Sequence, residues 1–136
     1  MAENLIVLDS GALSQLAERN GAVRRALRKA AADGVRVLVP TAVIAEATTG
    51  DHRRDANVNR ELKRTTLVGL NEPIARAAAA LRHAHRKVAA GTIDAIVVAT
   101  ADAVPGTRVL TGDPIDLGLL ATVRGRTRVI ALSQID

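Results

Sequence analysis

Short runs of branched aliphatic residues alternate along the chain with longer stretches in which apolar positions recur every three or four residues. That alternation marks βα units that build a mostly parallel sheet. Five strands are expected, at residues 5–8, 35–39, 65–69, 108–111 and 128–132. Residues 12–19 and 23–32 read as helices, the second stopped by Asp33-Gly34. After Pro40, Thr41 is placed to cap a short helix through Thr48, and the polar stretch 50–59 begins as a loop that can turn into a second short helix. Asn71-Glu72-Pro73 is a helix start, with Asn as cap and Pro in the first turn. The helix it opens carries an apolar stripe at Ile74, Ala77, Ala78, Leu81 and Val88, with Arg82, Arg86 and Lys87 off it. Gly91 breaks that pattern. Thr92 is expected to cap a helix over 93–101 that is apolar nearly all round and therefore buried, and Asp113-Pro114 opens a last helix to about Val123.

The length, 136 residues, fits one domain spanning residues 1–136. With no Phe, Tyr or Trp, the core must be filled by Val, Leu, Ile and Ala. The absence of cysteine excludes disulfides, thiolate metal sites and cysteine nucleophiles, and fits a reducing compartment. An acid at Glu3 stands where a signal peptide would be basic, and no apolar run approaches the roughly 18 residues that span a bilayer. The expected location is the cytoplasm, with no membrane attachment.

Charge adds a partner. The net charge is +5, carried far more by arginine than by lysine, and arginine suits bidentate contact with phosphate. The cations cluster at Arg24, Arg25, Arg28 and Lys29, at Arg53 and Arg54, at Arg60, Lys63 and Arg64, at Arg82, Arg86 and Lys87, and at Arg124, Arg126 and Arg128. Any one cluster is explained as a solvated helix face; the summed excess points to a polyanion.

Four acids stand in or beside apolar segments where solubility would not put them: Asp9, Glu46, Asp94 and Asp113. Asp9 closes Leu5-Ile6-Val7-Leu8 and Asp113 follows Val109-Leu110-Thr111-Gly112, so both are expected at the carboxyl ends of parallel strands, where α/β proteins bind ligands. Helix capping explains Asp9, Asp113 and, through the helix dipole, Asp94 as well as catalysis does when each is taken alone. Glu46 and Asp94 are harder to place, because their helices are otherwise apolar and a lone buried carboxylate is costly. One shared cleft accounts for all four. Like charges about 4 Å apart repel by roughly 4 kcal/mol at an effective dielectric near 20, so such a set takes up protons or a cation. Oxygen ligands favour Mg²⁺, with Mn²⁺ possible, over zinc. His52, His83 and His85 read as structural or solvated, and Ser10 and Thr111 are placed to orient a ligand or water, or to bond local backbone.

The run ending in Asp9-Ser10, Glu46 in the helix after the second strand, Asp94 in Thr-Ile-Asp-Ala-Ile-Val-Val-Ala-Thr, and Thr111-Gly112-Asp113 together resemble a PIN-domain protein over the whole chain. In size the chain is most similar to a VapC toxin of a bacterial toxin–antitoxin pair. The resemblance implies a three-layer α/β fold with a mostly parallel five-stranded sheet in order 3-2-1-4-5. It implies metal-dependent cleavage of RNA by Asp9, Glu46, Asp94 and Asp113, with Asp116 as an auxiliary acid. On this reading Asp9, Asp94 and Asp113 bind one or two Mg²⁺ ions, while Glu46 binds a second ion or orients the attacking water. It further implies a homodimer and a cognate VapB-like antitoxin whose tail fills the toxin's groove. The alternative within the family is a non-toxin PIN domain acting in RNA processing or as an RNA- or partner-binding module. Without aromatic residues there is no platform for base stacking.

Two other enzyme classes fit less well. A haloacid dehalogenase-type phosphatase needs a second acid two residues after the first, where Gly11 stands, and a phospho-receiver domain needs an Asp at the end of the third strand, where 65–70 has none.

Overall fold

A computed structural model describes residues 4–18, 21–86 and 91–135. Its five strands are β1 (Leu5–Leu8), β2 (Arg36–Pro40), β3 (Thr66–Val68), β4 (Arg108–Thr111) and β5 (Arg128–Ala131). The helices are α1 (Ser10–Leu16), α2 (Ala22–Ala32), α3 (Thr41–Ala47), α4 (Ala56–Leu62), α5 (Glu72–Ala84), α6 (Thr92–Asp102) and α7 (Pro114–Thr122), followed by a single 3₁₀ turn at Leu132–Gln134. All strand pairs are parallel and the sheet order is β3-β2-β1-β4-β5, as expected. Leu5 to Val7 pairs with Arg36 to Leu38 on one side and Ile6 to Leu8 with Arg108 to Leu110 on the other, so β1 is the centre of the sheet.

Parallel pairing requires a crossover between successive strands, and the helices supply it. Helix α1 packs with α2 and α4, α6 packs with α5 and α7, and α3 touches both α1 and α6. The short α3 therefore bridges the two layers. The core is built from fully buried Val7, Leu8, Val39, Val97, Val98 and Val109, with Leu13, Leu81, Leu117 and Leu120 between sheet and helices. Each such aliphatic contributes about 1.5–3 kcal/mol, so many small residues replace the missing aromatics.

Element ends differ from the sequence reading for local reasons. Helix α1 begins at Ser10, not Ala12, because the Asp9 side chain accepts the Ala12 N–H at 2.8 Å and caps the turn. Its expected end, Arg19, lies outside the described residues, as do Lys87 and Val88 of the α5 stripe. Val35 is not in a strand: its N–H is taken by the Ala30 carbonyl at the end of α2. Thr41 and Thr92 are first helical residues rather than caps; Pro40 and Gly91 hold those positions. Asn71 does cap α5, accepting the Ile74 N–H at 3.0 Å. The second short helix near 50–59 starts only at Ala56, since Asp55 is engaged with the loop behind it.

Candidate active site

In a parallel sheet every strand delivers its last residue to the same edge. Asp9 follows β1 and Asp113 lies two residues past β4, and those strands are neighbours, so the two acids arrive side by side. Glu46 is the penultimate residue of the bridging helix α3, and Asp94 lies in the first turn of α6.

Asp9 is 6% exposed and accepts three hydrogen bonds. Its Oδ1 accepts the Ala12 N–H, and its Oδ2 accepts the Thr111 hydroxyl and, at 3.3 Å, the Gly112 N–H. Thr111, wholly buried, also accepts the Asp113 N–H at 2.8 Å, so one hydroxyl ties the ends of β1 and β4 together. Ser10 donates to Glu46 Oε1 at 2.5 Å, fixing α3 against the start of α1. The two hydroxyls hold the acids, a role that the sequence reading did not give them. A Cβ on Gly11 would lie 3.6 Å from both Asp9 Oδ1 and Gly112 Cα, so glycine keeps the space beside that carboxylate oxygen open.

The electrostatics join all four acids. The Asp94 carboxyl is pushed up from 3.8 to about 6, first by desolvation and then by the charges of Glu46, Asp9 and Asp113. Asp9 is also raised, chiefly by burial and slightly by Glu46, against the lowering effect of its three bonds. Asp116 is raised by desolvation and then by Asp113, which makes it an outer member of the cluster. Asp9 is thus both helix cap and cluster member, whereas the Asp113 side chain makes no capping bond to α7.

The donor chemistry fits a hard divalent cation: carboxylate oxygens, a local excess of negative charge and no soft ligand. Among the described residues no three His, Asp or Glu side chains are already gathered around one ligating point. Glu46 is turned onto Ser10 and Asp9 onto Thr111, so side-chain rotation is part of any shared coordination. His52 and His83 are exposed and stand on other elements, α4's approach loop and α5.

Two of the arginines assigned above to a polyanion-binding cluster have another role. Arg28 donates to both oxygens of Glu61 at 2.8 and 3.0 Å, and Arg24 Nε lies 3.3 Å from Glu61 Oε1. Glu61 is 1% exposed, so this pair bolts α4 to α2.

The PIN domain family model matches residues 6–115, and the chain belongs to the PIN domain family. PIN domains are in general nucleases. Among solved structures the fold is similar to the VapC components of VapBC toxin–antitoxin complexes. The DNA-bound VapBC from Salmonella typhimurium matches with a TM-score of 0.74 at 14% identity, over 96% of this chain and 98% of that one. VapBC2 from Rickettsia felis, bound to a DNA fragment from its promoter, matches with a TM-score of 0.72 at 11% identity, over 93% and 98%. A toxin–antitoxin complex from Klebsiella pneumoniae matches with a TM-score of 0.65 at 21% identity, over 92% and 95%. Comparison with curated proteins gives no match.

Proposed function

We propose that this chain is a VapC-type toxin: a Mg²⁺-dependent ribonuclease, with Mn²⁺ as an alternative ion, that hydrolyses RNA phosphodiester bonds in the cytoplasm and is neutralised by a VapB-like antitoxin. The observation that carries this reading is the position of Asp9, Glu46, Asp94 and Asp113 toward one carboxyl edge, where burial first and then the charges of the other three raise Asp94 to about 6. A divalent cation relieves that repulsion where protons would otherwise be needed. The structural likeness to VapC chains in toxin–antitoxin complexes supports the antitoxin partner, and a homodimer is the assembly that the family resemblance implies.

In this mechanism Asp9, Asp94 and Asp113 would hold the cation, with Asp116 behind Asp113. When bound, it lowers the pKa of water and neutralises charge on the phosphate. Thr111 tethers Asp9 and Ser10 tethers Glu46 beside the cleft, and Glu46, once turned from Ser10, orients the attacking water and accepts its proton. No helix among the described residues is long and apolar enough to cross a membrane.

The test is incubation of purified protein with single-stranded and structured RNAs, in Mg²⁺ and in chelator. Cleavage is expected only with metal. Asp9→Asn and Asp94→Asn, confirmed folded, are expected to cut at least about a hundredfold more slowly; either variant cutting at the normal rate would sink the assignment. Expression in cells is expected to arrest growth, and co-expression of the cognate antitoxin to restore it.

A further inference from the structure

The parallel sheet also sorts the arginines. Arg36, Arg108 and Arg128 are the first residues of β2, β4 and β5, Arg124 and Arg126 lead into β5, and Arg64 leads into β3. These lie toward the amino edge, opposite the acids. A four-residue strand is roughly 13 Å long, more than the Debye length of about 8 Å at physiological ionic strength, so cations at that edge act little on a phosphate at the other.

Two segments place arginines at the acidic edge instead. The first is the loop after α3, which begins two residues beyond Glu46. Asp55, 6% exposed, draws it closed: its carboxylate accepts the Thr49 N–H at 2.9 and 3.1 Å, the Thr49 hydroxyl at 3.0 Å and the Gly50 N–H at 2.8 Å. Gly50 has φ +85°, the left-handed conformation this closure requires. Asp51 Oδ1 then accepts the N–H groups of Arg53 and Arg54 at 2.9 and 3.2 Å. The backbone of both arginines is fixed on a loop anchored at the end of the Glu46 helix, while both side chains are exposed. The second segment is the C-terminal half of α5. Arg82 shares a hollow of about 150 Å³ with Leu70, two residues past the carboxyl end of β3, and Thr92, two residues ahead of Asp94. Among the described residues no hydrogen bond or ion pair engages the side chains of Arg53, Arg54 or Arg82, in contrast to Arg24, Arg28, Arg76 and Arg108.

We propose that Arg53, Arg54 and Arg82 are the positioning residues that hold the phosphates of an RNA strand on either side of the acidic cleft. This rests on the ribonuclease reading above and adds to it the identity of the substrate-holding cations. A cleft of carboxylates repels RNA until phosphates are neutralised nearby, and fixed guanidiniums at its rim do this with bidentate geometry. The ordered loop matters because it spares the entropy of arranging two long cations at the moment of binding.

The experiment measures binding of a labelled single-stranded RNA to the Asp94→Asn protein across a salt series, alongside steady-state cleavage by the otherwise native chain. The triple variant Arg53→Ala, Arg54→Ala, Arg82→Ala is compared with Arg124→Ala, Arg126→Ala, Arg128→Ala, which removes equal charge from the opposite edge. The first triple is expected to weaken binding at least about tenfold and to reduce the salt slope by about 2, since each single-strand phosphate contact contributes about 0.7. Its KM should rise with kcat nearly unchanged, and the second triple should match the parent within about twofold. Circular dichroism checks that both are folded. Equal weakening by the two triples, or no effect of the first while the native chain still cleaves RNA, overturns this inference and leaves the ribonuclease reading standing. A native chain that neither binds nor cleaves RNA overturns both.

Discussion

Thr111 shows how much of a site can rest on one uncharged side chain. Its hydroxyl donates to Asp9 and accepts from the Asp113 N–H, so it sets the spacing of two acids that come from different strands. Thr111→Val keeps the shape and deletes both bonds. We expect cleavage to fall by about 10- to 100-fold, as for partners that orient metal ligands, with a stability loss of about 1–3 kcal/mol from the unsatisfied Asp9 oxygen; Thr111→Ser should restore most of both. Activity assays and denaturant titration check this. The sequence put Thr111 next to Asp113 but gave no sign of Asp9, 102 positions away, and the Ser10–Glu46 bond is similarly hidden across 36. The acids themselves were legible, because a carboxylate in an apolar segment demands a reason. Asp94 yields a second prediction at this scale. Its folded pKa, about 6, lies above the ordinary 3.8, so the stability it contributes is complete below about pH 4 and is lost as pH rises through 6. Asp94→Asn should therefore be more stable than the parent at pH 7 without metal, by about 1 kcal/mol after allowance for solvent screening, or about 4 °C in melting temperature. The gap should close at pH 4, and millimolar Mg²⁺ should narrow it at pH 7 by stabilising only the parent. Calorimetry in chelator and in Mg²⁺ reads all three.

Helices were easier to find than to delimit. Periodicity and start signals located most of them, yet side-chain bonds decided ends: Asp9 pulled α1 two residues forward, and Asp55 delayed α4 by closing the loop in front of it. The loop was the least legible segment because its organising acid looks, in sequence, like one more polar residue among many. The Glu61 clamp is the strongest case of element-level logic. Sequence patterning read Arg24 and Arg28 as a free basic face, while the fold brings a buried carboxylate from α4 to both. Glu61→Ala leaves two guanidiniums without their partner and a void between α2 and α4. It is expected to destabilise the protein by about 2–4 kcal/mol, whereas Asp33→Ala, at the exposed end of α2, should change stability by less than about 0.5 kcal/mol. Urea denaturation of the two variants separates these outcomes.

At the scale of the molecule the parallel sheet was readable from βα alternation, whereas its strand order was expected only from the resemblance to PIN domains. Sheet order then decides what is near what. It gathers carboxylates at one edge and spreads arginines over both, a division that no count of charges along the chain reveals.

The central position of β1 also has a bearing on how the protein is made. The chain leaves the ribosome from its amino end, and β1 must wait for β4, which supplies Thr111 from 102 residues downstream. At 5–20 residues per second that delay is roughly 5 to 20 s. Throughout this interval the nascent polypeptide holds Asp9 and Glu46 without the strand that completes their pocket, so the proposed chemistry has to wait until β4 has emerged.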